Sequence, residues 1–293
     1  MTRAGHQVTA VYTRPFEDYK EPLRQNRVAL GKDMCQAEFG VSFGDSRFLD
    51  LCSSSNWDIL AHHGARVTNY KSKDFDAALA FQENTRKLPS ILQRLAQKNC
   101  RKVVLTGTFS ERDEGLSSRK LGTDVSTYNL SKRLTYEFFR FHCQTEGFAL
   151  GKFVLPNPFG AFEDPRFTAY LMKNWLTGRR PGCNTPHYIR DNMFGSLLAL
   201  VYVRFLEQLS SDTQLTRLAP SGFVSSQGDF ALKVASEMES RLGIPCPLDL
   251  AERHDFIEPR VRINTDRIDA DSYGFNEAEA WDEMASYYKG QFS

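Results

Sequence analysis

No stretch of the 293-residue sequence is apolar over the roughly 20 residues that a bilayer-spanning helix needs. The opening residues, Met-Thr-Arg-Ala-Gly-His-Gln, contain no apolar signal segment. Charge of one sign is not in excess: 37 basic side chains face 36 acidic ones, for a net charge of +1. Neither a polyanion-binding surface nor an acidic tail is therefore expected, and nucleic acid and membrane are excluded as partners. Cys35, Cys52, Cys100, Cys143, Cys183 and Cys246 stand apart without a C-x-x-C pair. That spacing argues against a disulfide framework or a zinc site and fits reduced thiols. His62, His63, His142, His187 and His254 show no ligand spacing that would make a metal site, and His62-His63 reads as packing at a strand end. Internal repeats and low-complexity tracts are also missing. The expectation is a soluble, cytoplasmic globular protein.

Apolar residues make up 41% of the chain, with 22 Phe and 11 Tyr, enough for a sizeable core. Residues 7–13 read as a buried strand, and 14–36 as helix and loop. Gly40–Asp45 reads as a short strand running into a turn, and 57–65 as an apolar run closed by a small-residue loop. Asp74 opens a long helical pattern to about Lys98, which Pro89 should kink or split because proline lacks a backbone donor. Lys102–Thr108 is strongly β. The next helix starts near Ser126 or Thr127, carries Leu130, Leu134, Phe138 and Phe141 as its inward stripe, and stops at Gly147. Phe148–Leu155 is the following strand, and helices are expected over about 192–209, 229–242 and 277–289. Strands alternating with helices indicate an α/β fold with a parallel sheet. A change of texture after Pro156 puts a domain boundary near 155, giving units 1–155 and 156–293, with some later segments returning to the first.

The chain is organised around Thr123–Glu137, where Tyr128 and Lys132 lie four residues apart at a helix opening. Side chains one helical turn apart project from the same face. An ammonium beside a phenol favours the phenolate and lowers its pKa from the usual value of about 10. Such a phenol serves as general acid or base near neutral pH. The same spacing occurs on ordinary helix surfaces, so the neighbouring residues decide. Thr108 ends the strand feeding this helix, 20 residues before Tyr128. In a doubly wound sheet, strand ends and the tips of following helices meet at the ligand crevice.

Thr108…Tyr128-x-x-Ser131-Lys132 resembles the extended short-chain dehydrogenase/reductase family of sugar-nucleotide epimerases, dehydratases and reductases. The resemblance runs along nearly the whole chain. Gly5–Tyr12 is similar to the family's second strand, and Phe43-Gly44-Asp45 to its turn near the adenine. Leu60–Ala65 resembles the fourth strand and the loop, here Gly64-Ala65, under the cofactor. Asn84 matches an asparagine of the next helix, Leu155 ends the strand before Pro156-Asn157-Pro-Phe-Gly160, and Tyr188-Ile-Arg190-Asp191 looks like the segment whose arginine grips the diphosphate. The resemblance implies a Rossmann-like doubly wound parallel sheet with a smaller C-terminal substrate domain. It implies NAD(P), held by Asp45, Gly64, Ala65, Asn84, Tyr128, Lys132 and Leu155, with hydride transfer at a sugar carbon. Thr108, Tyr128 and Lys132 are then catalytic; Asn157, Arg190 and Arg260 meet the nucleotide sugar, with Arg262 the other choice for a second positive contact. A homodimer across the 134–141 helix face is implied as well.

Three departures qualify that expectation. The family's first βα unit, with its G-x-x-G-x-x-G loop, has no counterpart, so the strands flanking it should lack their shared partner. Two explanations follow: a longer natural polypeptide, or a relative that binds dinucleotide weakly and is not catalytic. Thr13-Arg14 stands where NAD-specific members place an acid, and Arg14 suits a 2′-phosphate, tipping the choice toward NADP. Finally, Thr108 is followed by Phe109-Ser110 rather than the Asp-Glu pair of the dehydratases, with Glu111 one position too far along. That leaves an epimerase or a 4-keto-sugar reductase.

Overall fold

A computed structural model describes residues 1–111, 113–117, 126–252, 256 and 258–292. His254 and Thr123–Val125 lie outside the described residues. The first elements are β1 (Thr9–Tyr12), α1 (Pro22–Met34), β2 (Gln36–Phe39), α2 (Ser46–Ser54), β3 (Leu60–His62), α3 (Ala77–Asn84) and α4 (Leu88–Gln97). β4 (Lys102–Thr108), β5 (Leu116–Ser117), α5 (Thr127–Glu146), β6 (Ala149–Leu155), β7 (Asn157–Phe159) and α6 (Phe167–Leu176) follow. Then come β8 (Gly182–Cys183), β9 (Ile189–Phe194), α7 (Gly195–Gln208), β10 (Leu215–Leu218), β11 (Pro220–Ser221), β12 (Phe223–Ser226) and α8 (Gln227–Leu242). The last are β13 (Asp249–Leu250), β14 (Val261–Ile263), β15 (Asp266–Arg267) and α9 (Glu277–Phe292).

The chain divides into two units. The first comprises Met1–Asp113, Leu121–Val154 and Tyr202–Leu218; the second comprises Glu114–Lys120, Leu155–Val201 and Ala219–Ser293. In the first unit the sheet is in two pieces: a parallel pair β1-β2, and a parallel set in the order β10-β6-β4-β3. Each of β1 and β3 has a single strand partner among the described residues. The core of this unit packs α2 and α4 against the sheet through Phe48, Leu49, Cys52, Ile91, Leu92 and Leu95, with Val103, Leu105 and Leu150 beneath them. Strands buried on both faces carry continuous apolar runs, and β6 is buried over Ala149–Val154.

The second unit is built on a mixed sheet ordered β12-β9-β14-β5, with β7 added to β9. Phe159, Phe194, Phe230 and Trp281 meet ring to ring in its core, with centroids between 4.3 and 5.6 Å for Phe159 and its three partners.

Several sequence expectations shift. Gly40–Asp45 is loop, not strand; the strand is the preceding Gln36–Phe39, because Gly40 and Gly44 both take positive φ and break the extension. The long helix after Asp74 is two: α3 is capped by Asp76, and Pro89 sits in the first turn of α4, where its missing donor costs nothing. The inward stripe of α5 is also different. Leu134 and Phe141 are 38% and 62% exposed, while Asn129, Ser131, Lys132, Thr135, Phe139 and Cys143 are buried. The buried face of this helix is polar over its first two turns because those side chains find partners on β4 and α3, and it turns apolar only beyond them. The segment 189–194 is strand β9, and the helix expected from 192 begins at Gly195.

Candidate active site

Ser126 starts α5 by accepting the Asn129 amide on its hydroxyl, at 3.2 Å. That cap sets Tyr128 and Lys132 in the first and second turns. The Tyr128 ring is half-buried, flanked by Tyr70 at 5.1 Å and Phe75 at 5.8 Å between centroids. Lys132 is buried, and its ammonium donates to the Thr106 carbonyl at 2.5 Å, near the end of β4. Burial pulls its pKa below the ordinary lysine value; the Glu111 carboxylate opposes that shift, and the Lys152 ammonium adds to it.

Two residues further along β4, Thr108 exchanges a hydroxyl contact with Ser110 at 3.2 Å, and the Ser110 hydroxyl donates to Asn129 on α5 at 2.9 Å. The strand end and the helix opening are thus tied together by side chains. Beneath them lies an ion pair that the sequence reading missed. Glu111 accepts the Thr108 amide on one oxygen at 2.8 Å and the Lys152 ammonium on the other at 2.7 Å, with both side chains at 5% exposure or less. Lys152 also stands 4.1 Å from the centroid of the Tyr136 ring. A lysine inside the apolar run 148–155 was the available signal for this pair.

His63 meets the Thr106 hydroxyl through Nδ1 at 2.6 Å, and its pKa falls to about 4 through burial and the nearby Lys132 charge. His62 packs against Phe139 and Phe43, and burial takes its pKa down to about 3. Both rings are neutral at ordinary pH. No group of His, Cys, Asp or Glu that would hold a metal occurs among the described residues.

The residues expected at a dinucleotide are placed as follows. Arg14 is exposed after β1. Asp45 caps α2, accepting the Phe48 and Ser42 amides at 2.8 and 2.7 Å. Gly64 and Ala65 follow β3. Asn84 is buried and bridges the Arg66 amide and the Thr135 hydroxyl, at 3.0 and 3.3 Å. Leu155 ends β6.

In the second unit, Asn157 and Arg190 line a cavity of about 150 Å³ together with Glu163, Arg166, Asn192 and Gln227. Arg190 is held by the Ile189, Pro259 and Arg260 carbonyls at 2.9 to 3.2 Å, stacks on Tyr188 and reaches Glu258 at 3.4 Å. Arg260 is exposed, stacks on Phe256 and is not among the residues lining that cavity. Arg262 faces Glu258 at 3.5 Å. Glu163, also missed, accepts from Thr168 at 2.6 Å and from Tyr288 at 2.8 Å; burial nonetheless lifts its pKa to about 7.

No protein-family profile matches the chain, and no curated protein matches it in sequence. Solved structures do. A UDP-glucose-4-epimerase from Stenotrophomonas maltophila with bound NAD and formylated UDP-arabinopyranose superposes with a TM-score of 0.72 at 14% identity, over 99% of this chain and 92% of that one. A UDP-glucose 4-epimerase from Thermotoga maritima with UDP-glucose gives 0.67 at 12% identity, over 98% and 100%. A UDP-glucuronic acid 4-epimerase from Bacillus cereus in complex with UDP-glucuronic acid and NAD gives 0.67 at 13%, over 98% and 92%. The chain therefore has a Rossmann-type α/β fold similar to that of these UDP-sugar 4-epimerases.

Proposed function

We propose that the protein acts on a nucleotide-linked sugar as an epimerase or 4-keto-sugar reductase, with Tyr128, Lys132 and Thr108 as its catalytic residues. The observation that carries this reading is the buried Lys132 ammonium, anchored on the β4 carbonyl of Thr106 one helical turn from Tyr128. Burying an ammonium is unfavourable unless it meets a partner, and the Thr106 carbonyl holds this one beside the opening of α5. Here it favours the deprotonated phenol. Tyr128 takes or returns the sugar hydroxyl proton at its phenol oxygen, and Thr108 orients the substrate oxygen. A nicotinamide cofactor, when bound, supplies the hydride chemistry at the sugar carbon. Glu111 is engaged by Lys152 and the Thr108 amide, which speaks against its use as the acid or base of a dehydratase.

Asn157 and Arg190 would hold the diphosphate of the sugar nucleotide, since a part-buried guanidinium makes strong charge-assisted hydrogen bonds to phosphate oxygens. The exposed Leu134 and Phe141 suit a homodimer across α5.

The described residues fit one end of a dinucleotide and not the other. Lys132 and Tyr128 suit the nicotinamide ribose. The helix N-termini of α1, α2 and α3, by contrast, are already occupied by the carboxylates of Glu21, Asp45 and Asp76. A capping carboxylate excludes a second anion from the same amides. Cofactor binding by this chain alone should accordingly be weak, and NADP is preferred to NAD only through Arg14. The same observation favours a second reading, a non-catalytic nucleotide-sugar-binding relative.

Turnover of UDP-sugars with NAD(P) separates the two. Tyr128→Phe should lower the rate by about 10²- to 10⁴-fold, the usual value of a general acid–base group, while nucleotide-sugar binding persists. Unchanged turnover in that variant refutes the catalytic assignment; binding without turnover in the unaltered protein establishes the second reading.

A further inference from the structure

β3 pairs with β4 only as far as Leu105, so Thr108 lies beyond the last pairing on that side. Main-chain groups past a ladder need partners of another kind. At Thr108 both come from Glu111. The Thr108 amide donates to Glu111 Oε1 at 2.8 Å, and the Glu111 amide donates to the Thr108 carbonyl at 3.0 Å. The turn 108–111 is thus closed twice by its last residue, once through main chain and once through side chain.

The carboxylate that closes the turn is itself fixed from another strand. Glu111 Oε2 accepts the Lys152 ammonium at 2.7 Å, with both side chains buried. Lys152 is the one charged residue of β6, a strand otherwise apolar and buried over 149–154. Its stem reaches Glu111 by passing Gly107, where a Cβ would stand 2.8 Å from Lys152 Cε and 3.1 Å from Glu111 Oε1. A glycine at 107 is what admits the pair beneath the strand end. An ion pair buried this deeply adds little to stability beyond what apolar groups of similar volume give. Stability therefore gives no reason for a lysine here; the geometry it imposes on the turn does. The Thr108 hydroxyl is directed from the same turn. It meets the Ser110 hydroxyl at 3.2 Å, and Ser110 donates at 2.9 Å to the buried Asn129, the neighbour of Tyr128 on α5.

We infer that Glu111 is a positioning residue for the proposed reaction: anchored by Lys152, it holds the turn in the shape that aims the Thr108 hydroxyl at the substrate oxygen. Neither Glu111 nor Lys152 touches substrate or cofactor in this role; both act through Thr108. The inference rests on the catalytic reading of Thr108.

The test uses two double variants of the full chain, Lys152→Met with Glu111→Leu and Lys152→Met with Glu111→Gln. Both lack the ion pair, and neither leaves a buried charge unpaired. They differ in one respect: the amide oxygen of glutamine still accepts the Thr108 amide, and leucine does not. With UDP-sugars and NAD(P), kcat of the Glu111→Leu form should fall about 10- to 100-fold, the scale of a misplacement of ~1 Å. KM should change little, as for an interaction made only in the transition state. The Glu111→Gln form should stay within about threefold of the original kcat, a rescue that a purely structural pair would not produce. Exchange of the Thr108 amide should be about tenfold faster with Glu111→Leu than with Glu111→Gln. Equal kcat in the two forms, or equal exchange at Thr108, overturns the inference. So does a Glu111→Gln form that is folded by urea titration yet loses more than that threefold, which decides the matter even if the Glu111→Leu form does not fold. Thr108→Ala tells the two kinds of failure apart. If it keeps full turnover, or if the unaltered chain has none, the catalytic reading fails and the inference falls with it. If it loses turnover while the Glu111→Leu form does not, the positioning role alone is overturned.

Discussion

Removing the Lys152 ammonium leaves Glu111 as a charge buried at 1% side-chain exposure beneath the Thr108 turn. Breaking such a pair from one side costs about 3–5 kcal/mol, whereas replacing both members with apolar groups is close to neutral. Lys152→Met is therefore expected to lower stability to urea by about that amount, and adding Glu111→Leu to recover most of it. Equal loss in the single and double variants would show that the pair is not what holds the turn. Glu163 gives a second measurement at this scale. Its pKa stands at about 7 when folded against 4.5 unperturbed, because burial outweighs the hydrogen bonds from Thr168 and Tyr288. A carboxyl with a raised folded pKa stabilises the fold fully below its unfolded value, and that contribution is lost as pH rises through about 7. The loss is on the order of 3 kcal/mol, so the melting midpoint should fall between pH 5 and pH 8, and Glu163→Gln should flatten the fall. Tyr128, Lys132 and Thr108 were singled out from the sequence by their spacing. Lys152 and Glu111 were not, since 41 positions separate them and only the sheet brings them together.

At the scale of elements, the turn into α2 tolerates least. Gly44 has φ of 75° and its position leaves no room for a Cβ, which would overlap the Arg86 carbonyl. Gly44→Ala thus combines backbone strain with a main-chain clash. Urea denaturation of that variant should show a loss of 2 kcal/mol or more, of the order expected for strain and overpacking together (~1–3 kcal/mol each). A change below about 0.5 kcal/mol would mean that the loop moves freely. Caps and stops were readable where one residue decides the outcome: Ser126 starts α5, and Gly147, with φ of 71°, ends it. The buried face of α5 was not, because a 3.6-residue apolar period says which face is greasy, not which face holds a buried lysine with partners on another strand. Phe141 lies outward at 62% exposure for the same reason. The break between α3 and α4 was foreseen in kind from Pro89 but lies at 85–87, ahead of the proline, since proline is accommodated in a first helical turn.

Over the whole molecule, the parallel order β10-β6-β4-β3 and the separate pair β1-β2 are of the kind that strands alternating with helices give. The absence of a glycine-rich loop, and with it the expectation of two strands lacking a shared partner, was visible in the sequence, whereas the pairing of β1 with β2 and of β3 with β4 required coordinates. The two ends of the proposed ligand set are consequently unequal. Asn157 and Arg190 line a cavity in the second unit, built without any contribution from β1 or β2. In the first unit the N-termini of α1, α2 and α3 are already capped by the carboxylates of Glu21, Asp45 and Asp76. Calorimetric titration should therefore find UDP binding that is lost by tenfold or more in Arg190→Ala, the ~1.4 kcal/mol or more of one charge-assisted contact. NADPH should bind far more weakly than UDP and be insensitive to the same substitution. Were NADPH to bind this chain at micromolar concentration, the carboxylate-capped helices could not be the reason for an incomplete cofactor site, and the catalytic reading would gain at the expense of the binding-module one.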